Sequence, residues 1–491
     1  MTSPLAIHLP RCSSHTPPPG VWVRESHADA PVVAFTEPML AAFCRGFERG
    51  FARWGFPLAG MGHAVIDGWL YLCNQDLTDA AELARRMGRV EQVADLVELR
   101  RTAHEWQCDV LPTVDAARRA IAPAPLEAYT TDELAGALVA AYSLLVDFAE
   151  QRMTVLPGTN LLTSAFLVDG EAAGLTRAEC LAALAGSSHA TAARSRDADP
   201  GDDEYIDDLL AIDGGTPVDA AGTMTGGAAP VARAGSVSVP DALSATLADA
   251  RMAQDVRESS RQLFMRLLGR ARRIAAELGS RLAATGALEA ADDTTYLTPD
   301  EIVAVHSGAL PGAAAKALVR SRRHDVEVSA QHVPDRTIGT PVVHDVAPPT
   351  PTEIGDGAMR VLVLAMSWLS AIDADDTLEQ SLPDGCLRGV PASPGVVTAP
   401  VRVVRHVDDV MSVEPGEILV CGITTPAWCV AISVSAGLIS TGGGDCGHSA
   451  IAAREFAIPA VVGVSSAMDV LRTGDVVTLD GTTGFVTIQR A

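Results

Sequence analysis

The sequence of 491 residues holds one lysine, Lys316, few aromatic side chains (4%) and too little positive charge to balance its acids. With a single lysine there is no GxxxxGK[ST] phosphate loop, and a lysine-dependent nucleotide site would have to use Lys316. The 37 basic against 61 acidic residues leave a formal charge of -24. A field of that sign repels nucleic-acid phosphates and anionic membranes, so neither is an expected partner. Long apolar runs are missing too. The longest, residues 361–369, falls far short of the ~20 needed to cross a bilayer. The first twenty residues lack the apolar core of a secretory signal and carry several prolines. The nine cysteines form no CxxC pair and are odd in number, which reads as reduced thiols in a cytoplasmic protein.

Apolar residues make up 48% of the chain, enough for two to four domains of the usual ~100–200 residues. Residues 1–20 read as a flexible start. Residues 21–382 read mainly as helix: Thr78 and Thr131 open Ala/Leu/Glu-rich runs, and Thr298-Pro299-Asp300-Glu301 forms a compact capping box. Met252, Val256, Leu263, Leu267, Ile274, Leu278 and Leu282 recur mostly at helical spacing, with Arg257, Arg261, Arg266, Arg270 and Arg273 on the other faces. The stretch 197–237 is acidic and rich in Gly, Ala and Pro, the composition of a mobile surface loop. Residues 383–394 (PDGCLRGVPASP) read as a linker. From 395 to 491 the texture changes to short Val/Ile runs, at 398–404, 417–421, 437–440, 460–464 and 476–479, broken by Gly, Pro and Asp. Helical patterns lie between them at 427–436 and 449–456, which predicts a small β/α domain. The expected fold is α + α/β.

The densest chemical signal is residues 437–463, GLISTGGGDCGHSAIAAREFAIPAVVG. A strand runs into a glycine cluster, then His448, then a helix whose first amides can stabilise an anion. A neutral imidazole there can attack an activated phosphoryl group. Arg454 is close in sequence, but its offset does not place it on the same helix face as His448. Three other readings compete. Gly442, Gly444 and Gly447 match GxGxxG, without the full βαβ unit or downstream acid of a dinucleotide site. Cys446 and His448 are half a zinc site with no second pair, and no metal is expected. His448 alone also fits a plain helix-starting residue.

The same residues resemble the phosphohistidine swivel domain of phosphoenolpyruvate synthase and pyruvate phosphate dikinase, whose pattern runs GG-x-x-SHAAI-x-ARE-x-x-IPAVVG. Here it reads Gly443, Gly444, His448, Ser449, Ala450 and Ile451, then Ala453-Arg454-Glu455 and the run from Ile458 to Gly463. Upstream, 389–395 (GVPASPG), Pro415-Gly416 and 424–428 (TTPAW) are similar too. One position departs: Gly447 stands where the family usually has Ser or Thr, removing a hydroxyl from any phosphate site. Residues 286–301, with Asp292-Asp293 and Tyr296-Leu297, resemble a segment of the helical substrate-binding domain in the rifampicin phosphotransferase and phenylphosphate synthase relatives. Residues 22–39 loosely resemble an opening block that would supply His27.

The resemblance implies that His448 carries the phosphoryl group. Arg454 and His27 would assist, and Thr425, Trp428, Gly443, Gly444, Gly447 and Ser449 would line the phosphate or substrate site. The family's large ATP-grasp-like domain has no counterpart in the pattern, so ATP and Mg would be bound by a separate ATP-grasp-type subunit. The expected function is a split phosphotransferase-type enzyme acting on a hydroxyl of a small biosynthetic metabolite, with dehydration as a possible outcome. The alternatives are a stand-alone, ATP-independent dehydratase or cyclase using His448 as acid/base, and a non-catalytic substrate-binding subunit.

Overall fold

The structure is a computed structural model, and it describes residues 10–14, 16–24, 31–77, 79–93, 96–185, 238–332, 334–335, 337–340, 385–424, 428–444 and 447–489. Thr78 and the expected loop at 197–237 lie outside these residues. In chain order the elements are β1 (Arg11–Cys12), β2 (Gly20–Arg24), α1 (Glu37–Trp54), β3 (Leu58–Ile66), β4 (Trp69–Asp76), α2 (Ala80–Val93) and α3 (Val97–Glu105). Next come α4 (Leu111–Ala120), α5 (Thr131–Ala172), α6 (Arg177–Leu184), α7 (Ser244–Ala284), α8 (Pro299–Ser307), α9 (Gly312–Ala330) and β5 (Thr337–Thr340). The last part holds β6 (Cys386–Arg388), β7 (Val390–Ser393), β8 (Val396–Val403), β9 (Ile418–Cys421), α10 (Cys429–Val434) and β10 (Gly437–Ser440). It ends with α11 (His448–Glu455), β11 (Ala460–Val462), α12 (Ala467–Val470), β12 (Val476–Asp480) and β13 (Phe485–Ile488). The mixed α and β character matches the expectation.

One compact unit comprises residues 1–93, 105–157 and 260–350. It contains a five-stranded sheet in the order β1-β3-β4-β2-β5, which the mainly helical reading did not foresee. The β3–β4 hairpin closes on Asp67 and Gly68, with φ of 48° and 88°. An Asp-Gly pair fits a tight turn with both central residues left-handed, because neither then carries a large steric cost. Helix α1 lies tight against α5: a Cβ on Gly46 would stand 2.4 Å from the Glu150 carbonyl oxygen. The capping box at α8 forms as expected, with Thr298 Oγ1 accepting from the Glu301 amide and Glu301 accepting from the Thr298 amide. Asp293 accepts from the amides of Glu289 and Ala290, so this residue of the Asp-Asp pair shapes a turn.

The other unit comprises residues 94–104, 158–259 and 351–491. Residues 158–259, read from the sequence as part of one helical domain, thus share a unit with the C-terminal sheet. The physical reason is length: α5 has 42 residues and α7 has 41, roughly 60 Å each, so a single helix serves two cores. The division of α5 falls at Pro157, which supplies no amide to the helix ladder. The eight-stranded sheet runs β6-β13-β12-β8-β9-β10-β11-β7, with β8, β9, β10 and β11 parallel. Both faces are covered. Leu419, Cys421, Leu438, Ala460 and Val462 pack on the face of α10 and α11, while Ile418, Val420, Ile439 and Val461 pack on the opposite face.

The expected linker requires correction. Its residues 386–388 and 390–393 are β6 and β7, edge strands of this sheet, paired with β13 and β11. The Pro and Gly residues that suggested a hinge fit edge positions, where a missing amide donor costs no ladder bond. Arg257 and Arg270, on other faces of their helix than the apolar positions, are buried as well.

Candidate functional site

The site grows from the β10–α11 connection. β10 ends at Ser440, whose hydroxyl donates to the Gly442 carbonyl, and Gly443 then takes φ 92°, open to a glycine at little cost. The Gly447 amide donates to the Gly444 carbonyl at 2.9 Å, and Gly447 becomes the N-cap of α11 with no side chain to cap it. His448 is therefore the first residue of an eight-residue helix, at the positive end of its dipole. Ser449 follows it, but its hydroxyl is 2.8 Å from the buried Thr424 hydroxyl.

His448 is 7% exposed, and its environment is polar. Nδ1 lies 2.6 Å from Glu258 Oε2, a carboxylate on α7 that is itself buried, and Nε2 lies 3.8 Å from Cys429 Sγ at the start of α10. Burial pushes the imidazole pKa down, but the charge of Glu258 and the hydrogen bonds to Glu258 and Cys429 outweigh it and raise the value to about 9. While it is paired with Glu258 the ring is thus an imidazolium at neutral pH. In this arrangement Nε2 carries a proton, and the neutral nucleophile expected from the sequence arises only when the ring loses it.

The remaining predicted residues divide. Gly443, Gly444, Gly447 and Ser449 lie in the connection from β10 to α11 and its first turn. Arg454 is buried and donates from Nη1 to the Ala392 carbonyl at 2.8 Å, tying α11 to β7; that described contact is with the sheet edge and does not involve His448. Trp428, expected at the phosphate or substrate, is instead in the hydrophobic core with Val404, Val407 and Ile432. An indole surrounded by aliphatic side chains is held there by the area it removes from water. His27 and Thr425 lie outside the described residues. Among the described residues no three His, Cys, Asp or Glu side chains gather as metal ligands.

Sequence reasoning missed Glu258, Cys429, Asn160 and Gln254. Glu258 is 190 positions from His448. The available signal was a group of polar residues on one face of α7: Gln254, Arg257 and Glu258 fall at i, i+3 and i+4, and all three are buried. Arg257 Nη1 pairs with Asn160 Oδ1 on α5.

Residues 413–484 match the family described as "PEP-utilising enzyme, mobile domain". The chain is 29% identical over 214 residues to an uncharacterized phosphotransferase, YvkC, of Bacillus subtilis, covering 43% of this chain and 23% of that protein. It is 40% identical over 111 residues to a phosphoenolpyruvate synthase of Aeropyrum pernix, covering 22% and 14%. It is 37% identical over 109 residues to a rifampicin phosphotransferase of Bacillus subtilis, covering 22% and 12%. The chain thus spans less than a quarter of the length of these relatives. Residues 413–484, with His448 at the start of α11, are similar to the mobile domain of the PEP-utilising enzymes.

Proposed function

We propose that this chain carries a phosphoryl group on His448 Nε2 and delivers it to a hydroxyl of a small metabolite, with ATP and Mg²⁺ bound by a separate ATP-grasp-type subunit. The observation that carries the reading is the Glu258–His448 pair at 2.6 Å. A carboxylate accepting from Nδ1–H fixes the tautomer in which Nε2 holds the lone pair whenever the ring is neutral, so Nε2 is the reacting nitrogen. In uptake, an N–P bond forms as the terminal P–O bond of the donor breaks and the nucleoside diphosphate leaves with the electron pair. In delivery, the substrate oxygen attacks phosphorus and the N–P bond breaks. The imidazole takes the hydroxyl proton, ending as the imidazolium that Glu258 stabilises. The phosphorylated hydroxyl is a better leaving group, so loss of phosphate and a neighbouring proton can follow as dehydration. The phosphotransferase names among the relatives support the same reaction class.

The test uses the full chain with the partner subunit and ATP, or with phosphoramidate as a small-molecule phosphoryl donor. We expect an acid-labile mass increase of one phosphate on His448, lost in His448→Ala. No such adduct under either condition rejects carriage.

The raised pKa also favours a second reading, in which the imidazolium donates a proton in an ATP-independent elimination or cyclisation. Gly447 is compatible with it, since no hydroxyl remains there to hold a phosphate. Turnover by purified protein without nucleotide decides for this reading.

A further inference from the structure

Two buried amide groups, one on the helix that carries Glu258 and one paired with its neighbour Arg257, have no acceptor among the described residues: Gln254 Nε2 and Asn160 Nδ2. Asn160 is 2% exposed and Gln254 is 1% exposed. The Asn160 orientation is not arbitrary, because its Oδ1 accepts from Arg257 and the nitrogen is then the unmatched end. Gln254 precedes Glu258 by one helical turn on α7, so their side chains emerge on one face, roughly 5–6 Å apart at Cβ. Arg257 lies on the same stripe and reaches Asn160. The stripe therefore joins two unmatched donors to the reacting imidazole through Arg257 and Glu258.

A buried donor without an acceptor costs more than an ordinary hydrogen bond gains, and such groups are rare, so each calls for an explanation such as an ordered water or a bound ligand. Both donors are uncharged amides, so they match an uncharged oxygen; a buried carboxylate or phosphate would need a charge partner that neither amide supplies. We propose that Asn160 and Gln254 are substrate-binding residues that donate to neutral carbonyl or hydroxyl oxygens of the acceptor molecule, holding it beside His448. The substrate class is thus an uncharged, acceptor-rich small molecule, such as one bearing amide or ketone carbonyls. The inference rests on the reading of His448 as the reacting group, but its test needs no phosphoryl transfer.

Two measurements on the full chain test it. The first is ligand-observed saturation-transfer NMR with N-methylacetamide, acetate and inorganic phosphate as separate probes. N-methylacetamide should show transfer with the wild type and lose it in Gln254→Met and in Asn160→Asp, which keeps an acceptor for Arg257 while removing the donor. Preference for acetate or phosphate, no binding, or binding indifferent to both substitutions would overturn the assignment. The second is the melting temperature without ligand. Gln254→Met removes an unmatched donor at nearly constant volume and should raise Tm by about 2 °C. A fall in Tm, as expected if the amide serves the fold through a buried water, would also overturn it. Because binding is read without nucleotide, failure of phosphoryl carriage and failure of this site give different results.

Discussion

At the scale of single residues the decisive contact is one carboxylate on one imidazole. Burial lowers the His448 pKa, while the charge and hydrogen bond of Glu258, with a further contribution from Cys429, hold it at about 9. Glu258→Gln should therefore move the imidazole titration down by roughly one pH unit or more, read by NMR of the labelled ring. The sign for stability follows from a folded value above the unfolded one. The pair's contribution is complete below about pH 6.5 and is lost as pH rises through about 9. Wild-type Tm should decline across that window more steeply than Tm of Glu258→Gln, and parallel curves would show that the two groups do not interact. Gly447 makes a second residue-scale case. Its φ of -76° is open to any residue, and an added Cβ would lie 3.1 Å from the Gly444 carbonyl oxygen, a contact that a small shift relieves. Gly447→Ser should fold with a Tm within about 1 °C of wild type, since Ser exceeds Gly at an N-cap by only a few tenths of a kcal/mol. A large loss by thermal denaturation would show that the glycine loop cannot yield.

At the scale of elements, close helix packing outweighs helix propensity. Ala in place of Gly inside a helix ordinarily gains about 0.5–1 kcal/mol. At Gly46 the new methyl would meet the Glu150 carbonyl at 2.4 Å and Met153 Cβ at 2.6 Å, so α1 would have to move off α5. Gly46→Ala should destabilise by about 1–3 kcal/mol in chemical denaturation, the range for an overpacked site; a gain would mean the helices are less close. Elements of this kind differ in how well the sequence announces them. β9, β10 and β11 were legible because strands buried on both faces read as short Val/Ile/Leu-rich runs, β12 because its buried Val477 and Leu479 alternate with less buried neighbours, and the α8 capping box because its four residues are contiguous. The Asp67-Gly68 hairpin was legible in principle, with AVI before it and WLYL after it, but was absorbed into a helical reading of the region. β6 and β7 were not, since CLR and VPAS carry neither alternation nor length, and pairing with β13 and β11 makes them strands. Glu258 was hidden for a related reason. A local pattern can mark a polar stripe on α7, but no local pattern names the histidine 190 residues away that it faces.

For the molecule as a whole, the proposed cycle makes opposite demands on one ring. Uptake needs a neutral Nε2 with a free lone pair, whereas delivery is assisted when the departing imidazole takes a proton. With a pKa of about 9, His448 paired to Glu258 is neutral in only roughly one molecule in a hundred at pH 7. The pair in this unit therefore suits delivery and slows charging at neutral pH. Separation of the ring does not change this, because a neutral His448 in any position has lost the proton that the pair holds; the charging rate must follow the neutral fraction, rising roughly tenfold per pH unit from 7 and levelling near 9. Measured with phosphoramidate, the rate for wild type divided by that for Glu258→Gln cancels the donor's own titration. We expect this ratio to climb with a slope near one between pH 7 and 9, with Glu258 acting as a brake on charging at neutral pH. A flat ratio would show that the pair does not hold the ring protonated in the molecules being charged.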